Sequence, residues 1–220
     1  MGQTDRMLLF DRWAENYDAT IAPTHFPFDG YDQVLEEVVG LAEVTPHMQV
    51  LDLGIGTGNL AVRFIEAGCA VWGIDFSVEM LTKAQAKLPH TVLVQADLRD
   101  WPMKLQRPFD RVVSAYVFHE FDLETKVRLL HRIAGHHLTA GGRIVVADIA
   151  FPSVEDRTRA SQQWTDSWDA DEFYWAADEA SAACARVGLH VTYKQVSSCG
   201  GVFTFINTNK YHMGGTKWIP

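Results

Sequence analysis

Leu51 to Leu60 reads LDLGIGTGNL, with glycines at every second position, 54, 56 and 58. The run before them, Gln49 to Leu53, suits a strand buried on both faces, and Asn59 to Ala67 after them carries helical spacing. The glycines therefore fall at a strand-to-helix turn, where a nucleotide-like ligand can lie against bare backbone and side chains would collide with it. A purely structural tight turn would use the same residues, so the context has to decide. That context is Asp75, which ends the second apolar run in WGIDFS, 17 residues after Gly58. A carboxylate there can accept hydrogen bonds from both hydroxyls of a ribose.

Working outward, Ala70 to Ile74, Thr91 to Gln95, Arg111 to Ala115 and Arg143 to Ala147 repeat the short, Val- and Ile-rich pattern of buried parallel strands. Helical segments lie between them at Val78 to Leu88, opened by Ser77 as N-cap, and at Leu123 to Leu138. Strands alternating with helices imply an α/β, doubly wound sheet with five parallel strands. Gly141 and Gly142 are expected to end the third helix and turn the chain into the fifth strand. Near the end, HVTYKQVS and GVFTFINT flank Cys199, Gly200 and Gly201, which predicts an antiparallel hairpin with those three residues as its turn.

Two segments stand outside this alternation. Phe10, Trp13, Tyr17 and Ile21 form an apolar stripe at helical spacing, and Tyr31 to Leu41 suggests a second helix, so the N-terminus reads as a helical cap. Phe151 to Val187 carries Trp164, Trp168, Phe173, Tyr174 and Trp175, a heavier aromatic load than a crossover needs. Its first half is either a lid over a ligand or extra core packing.

Composition narrows the partners. The chain has 220 residues, 47% of them hydrophobic, and a formal net charge of −9, which disfavours a phosphate backbone as main partner and points to a small molecule or a protein. Cysteines 69, 184 and 199 show no metal-ligand spacing and read as reduced packing residues. No stretch of 18 apolar residues occurs and the first apolar run is too short for a secretory signal, so no membrane partner and a cytoplasmic location are expected.

A dinucleotide fingerprint would place its third glycine one residue later than Gly58, where Asn59 stands, so NAD is disfavoured. With Asp52 two residues before Gly54, VLDLGIGTGNL instead resembles motif I of the class I S-adenosylmethionine-dependent methyltransferases, over most of the chain. In detail the chain is similar to YrrT-like methyltransferases of bacteria, through its WAENYD start, its GTGNL loop and an aromatic-His motif after the fourth strand. The usual His-His pair of those proteins is here His119-Glu120, and the terminal NKYHMGGTKWIP has no recognised counterpart. The resemblance implies a Rossmann-like seven-stranded sheet of order 3-2-1-4-5-7-6, in one domain. Its parts would be a cap at 1–45, a cofactor-binding core at 46–150, an aromatic-rich insert with a helix at 151–188, a hairpin at 189–208 and a tail at 209–220.

The same resemblance implies S-adenosylmethionine as cofactor, with S-adenosylhomocysteine as product. Gly54 and Gly56 would line its methionine part, Asp75 would hold the ribose, and Asp52 would be a further cofactor-binding residue. Phe76 and Met80 would flank the adenine, Ala96, Asp97 and Leu98 would meet its edge, Ser114 would approach the amino acid moiety, and Tyr17 would close over the whole. Methyl transfer to a small-molecule acceptor is then the expected activity. Because the sulfonium already carries the activation, the protein chiefly aligns a nucleophile and excludes water. If the acceptor must lose a proton, His119 is the candidate base, since an imidazole of ordinary pKa, about 6.5, suits proton transfer near neutrality, and Tyr116 comes next. His119, Glu120 and Asp148 offer ligand chemistry, but nothing in their spacing demands a metal and none is expected. A non-catalytic cofactor-binding sensor or partner subunit of the same fold remains an alternative, with an NAD-dependent oxidoreductase a distant third.

Overall fold

The computed structural model describes residues 24–100 and 108–207. The expected cap stripe with Tyr17, and the tail from residue 209, lie outside them. The described chain runs α1 (Tyr31–Ala42), β1 (Gln49–Leu53), α2 (Asn59–Glu66), β2 (Ala70–Asp75), α3 (Val78–Lys87), β3 (Val92–Gln95) and β4 (Phe109–Ala115). A 3-10 turn at Phe118–Glu120 leads to α4 (Leu123–His136), β5 (Leu138–Phe151), α5 (Val154–Gln163), β6 (Trp175–Ala176), α6 (Ala177–Ala185), β7 (Leu189–Gln195) and β8 (Gly200–Asn207).

Four of the five β1 residues are buried, because β1 is central, with β2 parallel on one side and β4 parallel on the other. The path is β3-β2-β1-β4-β5-β8-β7, with β8 antiparallel to both β5 and β7. This is the expected seven-strand order. The hairpin strands rank one higher only because the two-residue β6 pairs with the end of β5.

Alternation along β5 shows why the sheet is wound on both sides. Val145, Ala147 and Ile149 enter one apolar core with α1 and α2, while Ile144, Val146 and Ala150 enter the other with α4 and α6. The apolar faces of the helices are what the two sheet faces require, so the two cores arise together.

Two expectations need correction. The third helix ends at His136 with His137 as its cap, not at the glycines. Gly141 and Gly142 lie instead within β5, where Leu138 pairs with Phe109 but Arg143 already pairs with Arg111, so Thr139 to Gly142 bulge out of the ladder and Gly141 takes φ +77°. In the hairpin, Gln195 pairs with Gly201, so the turn is Val196 to Cys199 and both glycines belong to β8. Glycine is needed at 201 because a Cβ would stand 2.5 Å from the Tyr193 ring. The aromatic segment is largely core: Trp175 and Tyr174 are buried, and Trp164 and Trp168 stack on Phe26 at 4.9 and 5.8 Å, whereas Phe173 is exposed. All three cysteines are buried and unpaired. No helix among the described residues is long and apolar enough to cross a membrane.

Candidate functional site

The C-terminal ends of β1, β2 and β4 meet at the glycine loop. Gly54, Gly56 and Gly58 all have positive φ, at 69°, 53° and 90°, a conformation that costs other residues about 1–2 kcal/mol. Gly58 caps α2. The amides of Gly54 and Ile55 both donate to the Ile74 carbonyl, so the loop is folded back against β2. Each glycine has its own reason. A Cβ on Gly54 would stand 2.3 Å from Val117, and one on Gly58 2.8 Å from Leu88, but among the described residues one on Gly56 would meet only the Gly54 carbonyl oxygen, at 4.0 Å. No described residue therefore fills the space in front of Gly56.

That space is a pocket walled by Tyr31, Asp52, Gly54, Ile55, Gly56, Thr57, Asn59, Leu60 and Ala115. Asp52 is 1% exposed, and its Oδ2 makes no hydrogen bond among the described residues. Desolvation, reinforced by the Asp75 charge, pushes its carboxyl up to about 8. Asp75 steadies the loop: Oδ2 accepts from the Gly56 amide at 2.9 Å and Oδ1 from the Ser77 amide at 3.0 Å.

The structure thus brings together Asp52, Gly54, Gly56 and, through the loop amide, Asp75. Other expected residues sit differently. Met80 and Leu98 are buried, and Phe76 and Ala96 are half-buried, at the ends of β2 and β3. Asp97 is gripped by its neighbour Arg99, whose Nη2 donates to Oδ2 at 2.6 Å. Ser114 is fully buried and its hydroxyl donates to the Leu53 carbonyl at 2.7 Å, tying β4 to β1, while the next residue, Ala115, lines the pocket. The wall residues Tyr31, Thr57 and Asn59 were missed by sequence reasoning. Only Asn59, through its place after the glycines, gave any local signal.

Past β4 the chain turns sharply. Tyr116 takes φ +57° and stacks its ring on Tyr31 with centroids 5.3 Å apart, which makes it part of an aromatic wall. Its left-handed backbone also lets the next turn fold onto β5. His119 is 8% exposed; its amide donates to Asp148 Oδ2 at 2.8 Å and its Nδ1 lies 2.6 Å from Asp148 Oδ1. An ionised carboxylate only accepts, so Nδ1 carries the proton and Nε2 points the other way. Trp175 Nε1 donates to the same Asp148 at 3.1 Å. Nε2 faces Glu120 and Glu172, each at 3.7 Å.

This environment shifts the titration of the expected base. Burial alone would lower the His119 pKa, but Asp148 by charge and hydrogen bond, with Glu172 and Glu120, outweighs it and lifts the imidazole to about 9. An imidazole so placed is already protonated at neutral pH and has no lone pair to take a proton. Glu172 reaches it from the aromatic segment, whose Phe173 amide donates to the His119 carbonyl at 2.7 Å. Lys126, buried in α4, donates to the Phe173 carbonyl and lies 4.1 Å from the Trp175 ring centre. Beside these groups is a cleft of about 320 Å³ whose walls include Lys126, Arg157, Trp168, Glu172, Phe173 and Glu179.

The fold and this loop have known counterparts. Residues 50–142 match the family described as "Methyltransferase domain". An uncharacterized methyltransferase of Geobacillus thermodenitrificans is 32% identical over 200 residues, covering 85% of this chain and 90% of that one. The chain belongs to the class I S-adenosylmethionine-dependent methyltransferase family. An uncharacterized methyltransferase named YrrT, from Halobacillus halophilus, is 27% identical and covers 86% of this chain and 92% of its own. Among solved structures, magnesium protoporphyrin IX methyltransferase from Synechocystis with bound SAH superposes with a TM-score of 0.70 at 18% identity, covering 91% of this methyltransferase and 95% of that chain. Membership accounts for the seven-strand order and for the glycine loop at its centre.

Proposed function

We propose that the chain binds S-adenosylmethionine in the glycine-loop pocket and transfers its methyl group to a small-molecule acceptor. The observation that carries this reading is the buried Asp52 oxygen that has no hydrogen-bond partner among the described residues, set in a pocket where no described residue fills the space in front of Gly56. A buried carboxylate beside a second one is costly unless a cation compensates it, and the bound cofactor supplies an ammonium and a sulfonium. When bound, the sulfonium supplies an activated methyl carbon, so the protein needs no separate activation of that carbon.

This chain's residues would hold and orient. Asp52 Oδ2 would accept from the ammonium, Asp75 would accept from ribose hydroxyls, and Tyr31 would wall the site while its ring is braced by Tyr116. The net charge of −9 supports a small-molecule acceptor over a nucleic acid. With His119 occupied by carboxylates, alignment and water exclusion are the protein's main contributions to rate.

Titration calorimetry tests the binding half. Asp52 has to ionise to attract a cation, so S-adenosylmethionine affinity should rise with pH towards about 8 and then level off. In Asp52→Asn the slope should vanish and binding should weaken about tenfold or more, the loss of one charge-assisted hydrogen bond. A folded wild-type protein with no measurable affinity for S-adenosylmethionine would sink the reading, and normal affinity in Asp52→Asn would remove the role given to Asp52. For the transfer half, incubation with labelled cofactor and a panel of small oxygen, nitrogen and sulfur nucleophiles should yield a methylated product.

A further inference from the structure

His119 Nε2 and one carboxylate oxygen each from Glu120 and Glu172 all lie within 4.8 Å of one another. The three side chains are only 11%, 14% and 16% exposed. One feature separates this group from an ordinary patch of acids. The His119 residue is buried and Asp148 holds its Nδ1, so Nε2 faces the two glutamates, and it makes no hydrogen bond among the described residues. The 3.7 Å spans to both glutamates are too long for hydrogen bonds. They are near the separation of about 3.0–3.4 Å between two donors that share an ion at bond lengths of about 2.1 Å.

We propose that His119, Glu120 and Glu172 form a site for a divalent transition-metal cation, with Asp148 as the outer residue that orients the histidine. One imidazole and two carboxylates suit Mn²⁺, Fe²⁺, Co²⁺ or Zn²⁺ better than an all-oxygen ion such as Ca²⁺. A histidine whose other ring nitrogen donates to a carboxylate is the arrangement that raises ligand basicity. The ligands come from two separate segments, the turn after β4 and the segment before β6, so the ion would clamp them together alongside the Phe173 to His119 backbone hydrogen bond. Three protein ligands leave positions free for water or for an oxygen of the acceptor. Only that last use rests on the methyl-transfer reading.

The test uses the full chain, freed of metal with chelator and titrated with Mn²⁺ while free ion is followed by electron paramagnetic resonance. The expected result is saturation at one ion per chain, displaced by Zn²⁺. Glu172→Gln, on a partly open segment, should keep the circular dichroism of the wild type and weaken Mn²⁺ binding at least about tenfold; Asp148→Asn should weaken it by about 10- to 100-fold. A titration that never saturates, or one that Glu172→Gln leaves unchanged, overturns the site. Calorimetry with S-adenosylmethionine on the same metal-free sample keeps the two readings apart. Cofactor binding without metal binding defeats the metal site alone, and metal binding without cofactor binding defeats the cofactor pocket alone.

Discussion

Gly56 and Gly54 look alike in the sequence and do different work. Gly56→Val forces a branched residue into φ +53° and projects it into the open pocket, so cofactor affinity should disappear while the midpoint of thermal unfolding falls by only a few degrees. Gly54→Val drives a side chain into Val117 and should lower soluble yield before any binding is measured. Normal calorimetric binding by Gly56→Val would show that the open space is not where the ligand lies. Asp52 adds a pH signature to the free protein. Its folded pKa is raised above the unfolded value, so its contribution is most favourable below about pH 4 and is lost as pH rises to about 8; Asp52→Asn should flatten that loss in urea titrations. These positions were legible because a backbone requirement or a strand end marks them locally. The partners that Ser114 and Asp97 take in the fold, Leu53 and Arg99, have no local signature. Glu172 was invisible for the same reason: only the folded chain brings it to His119.

Elements were easier to read than their ends. Ser77 as cap of α3 is confirmed by its side chain accepting from the Met80 amide at 3.1 Å, a polar rule that acts within one turn. The glycines at 141 and 142 misled because a glycine signals a special backbone angle, and a bulge within β5 needs that angle as much as a helix end does. The aromatic segment between α5 and β6 is held by Lys126 more than by its own secondary structure. Lys126→Met keeps contact with the Trp175 ring but abandons the Phe173 carbonyl, and should cost about 1.5–3 kcal/mol. Hydrogen exchange should then quicken at Phe173, whose amide is bonded to His119, before it changes in β5. Uniform exchange across the segment would mean that the ring stack on Phe26 is the stronger anchor.

At the scale of the whole molecule, strand order was legible through resemblance and alternation through pattern, because parallel strands buried on both faces leave long apolar runs. What the pattern could not show is how the two faces share one strand. From Ile144 to Phe151 every β5 residue is buried, and this strand takes β4 on one side and β8 on the other. The consequence appears when the chain is incomplete. A polypeptide stopped at Gly188 has everything needed for the glycine loop, yet it leaves the β5 edge as a row of unpaired amides and carbonyls along an almost wholly apolar strand. Such an edge invites pairing with another chain. Light scattering of that truncated protein should therefore grow with concentration and with time, whereas the full chain should stay clear, so the hairpin acts as this sheet's guard against self-association during synthesis as well as its last structural layer.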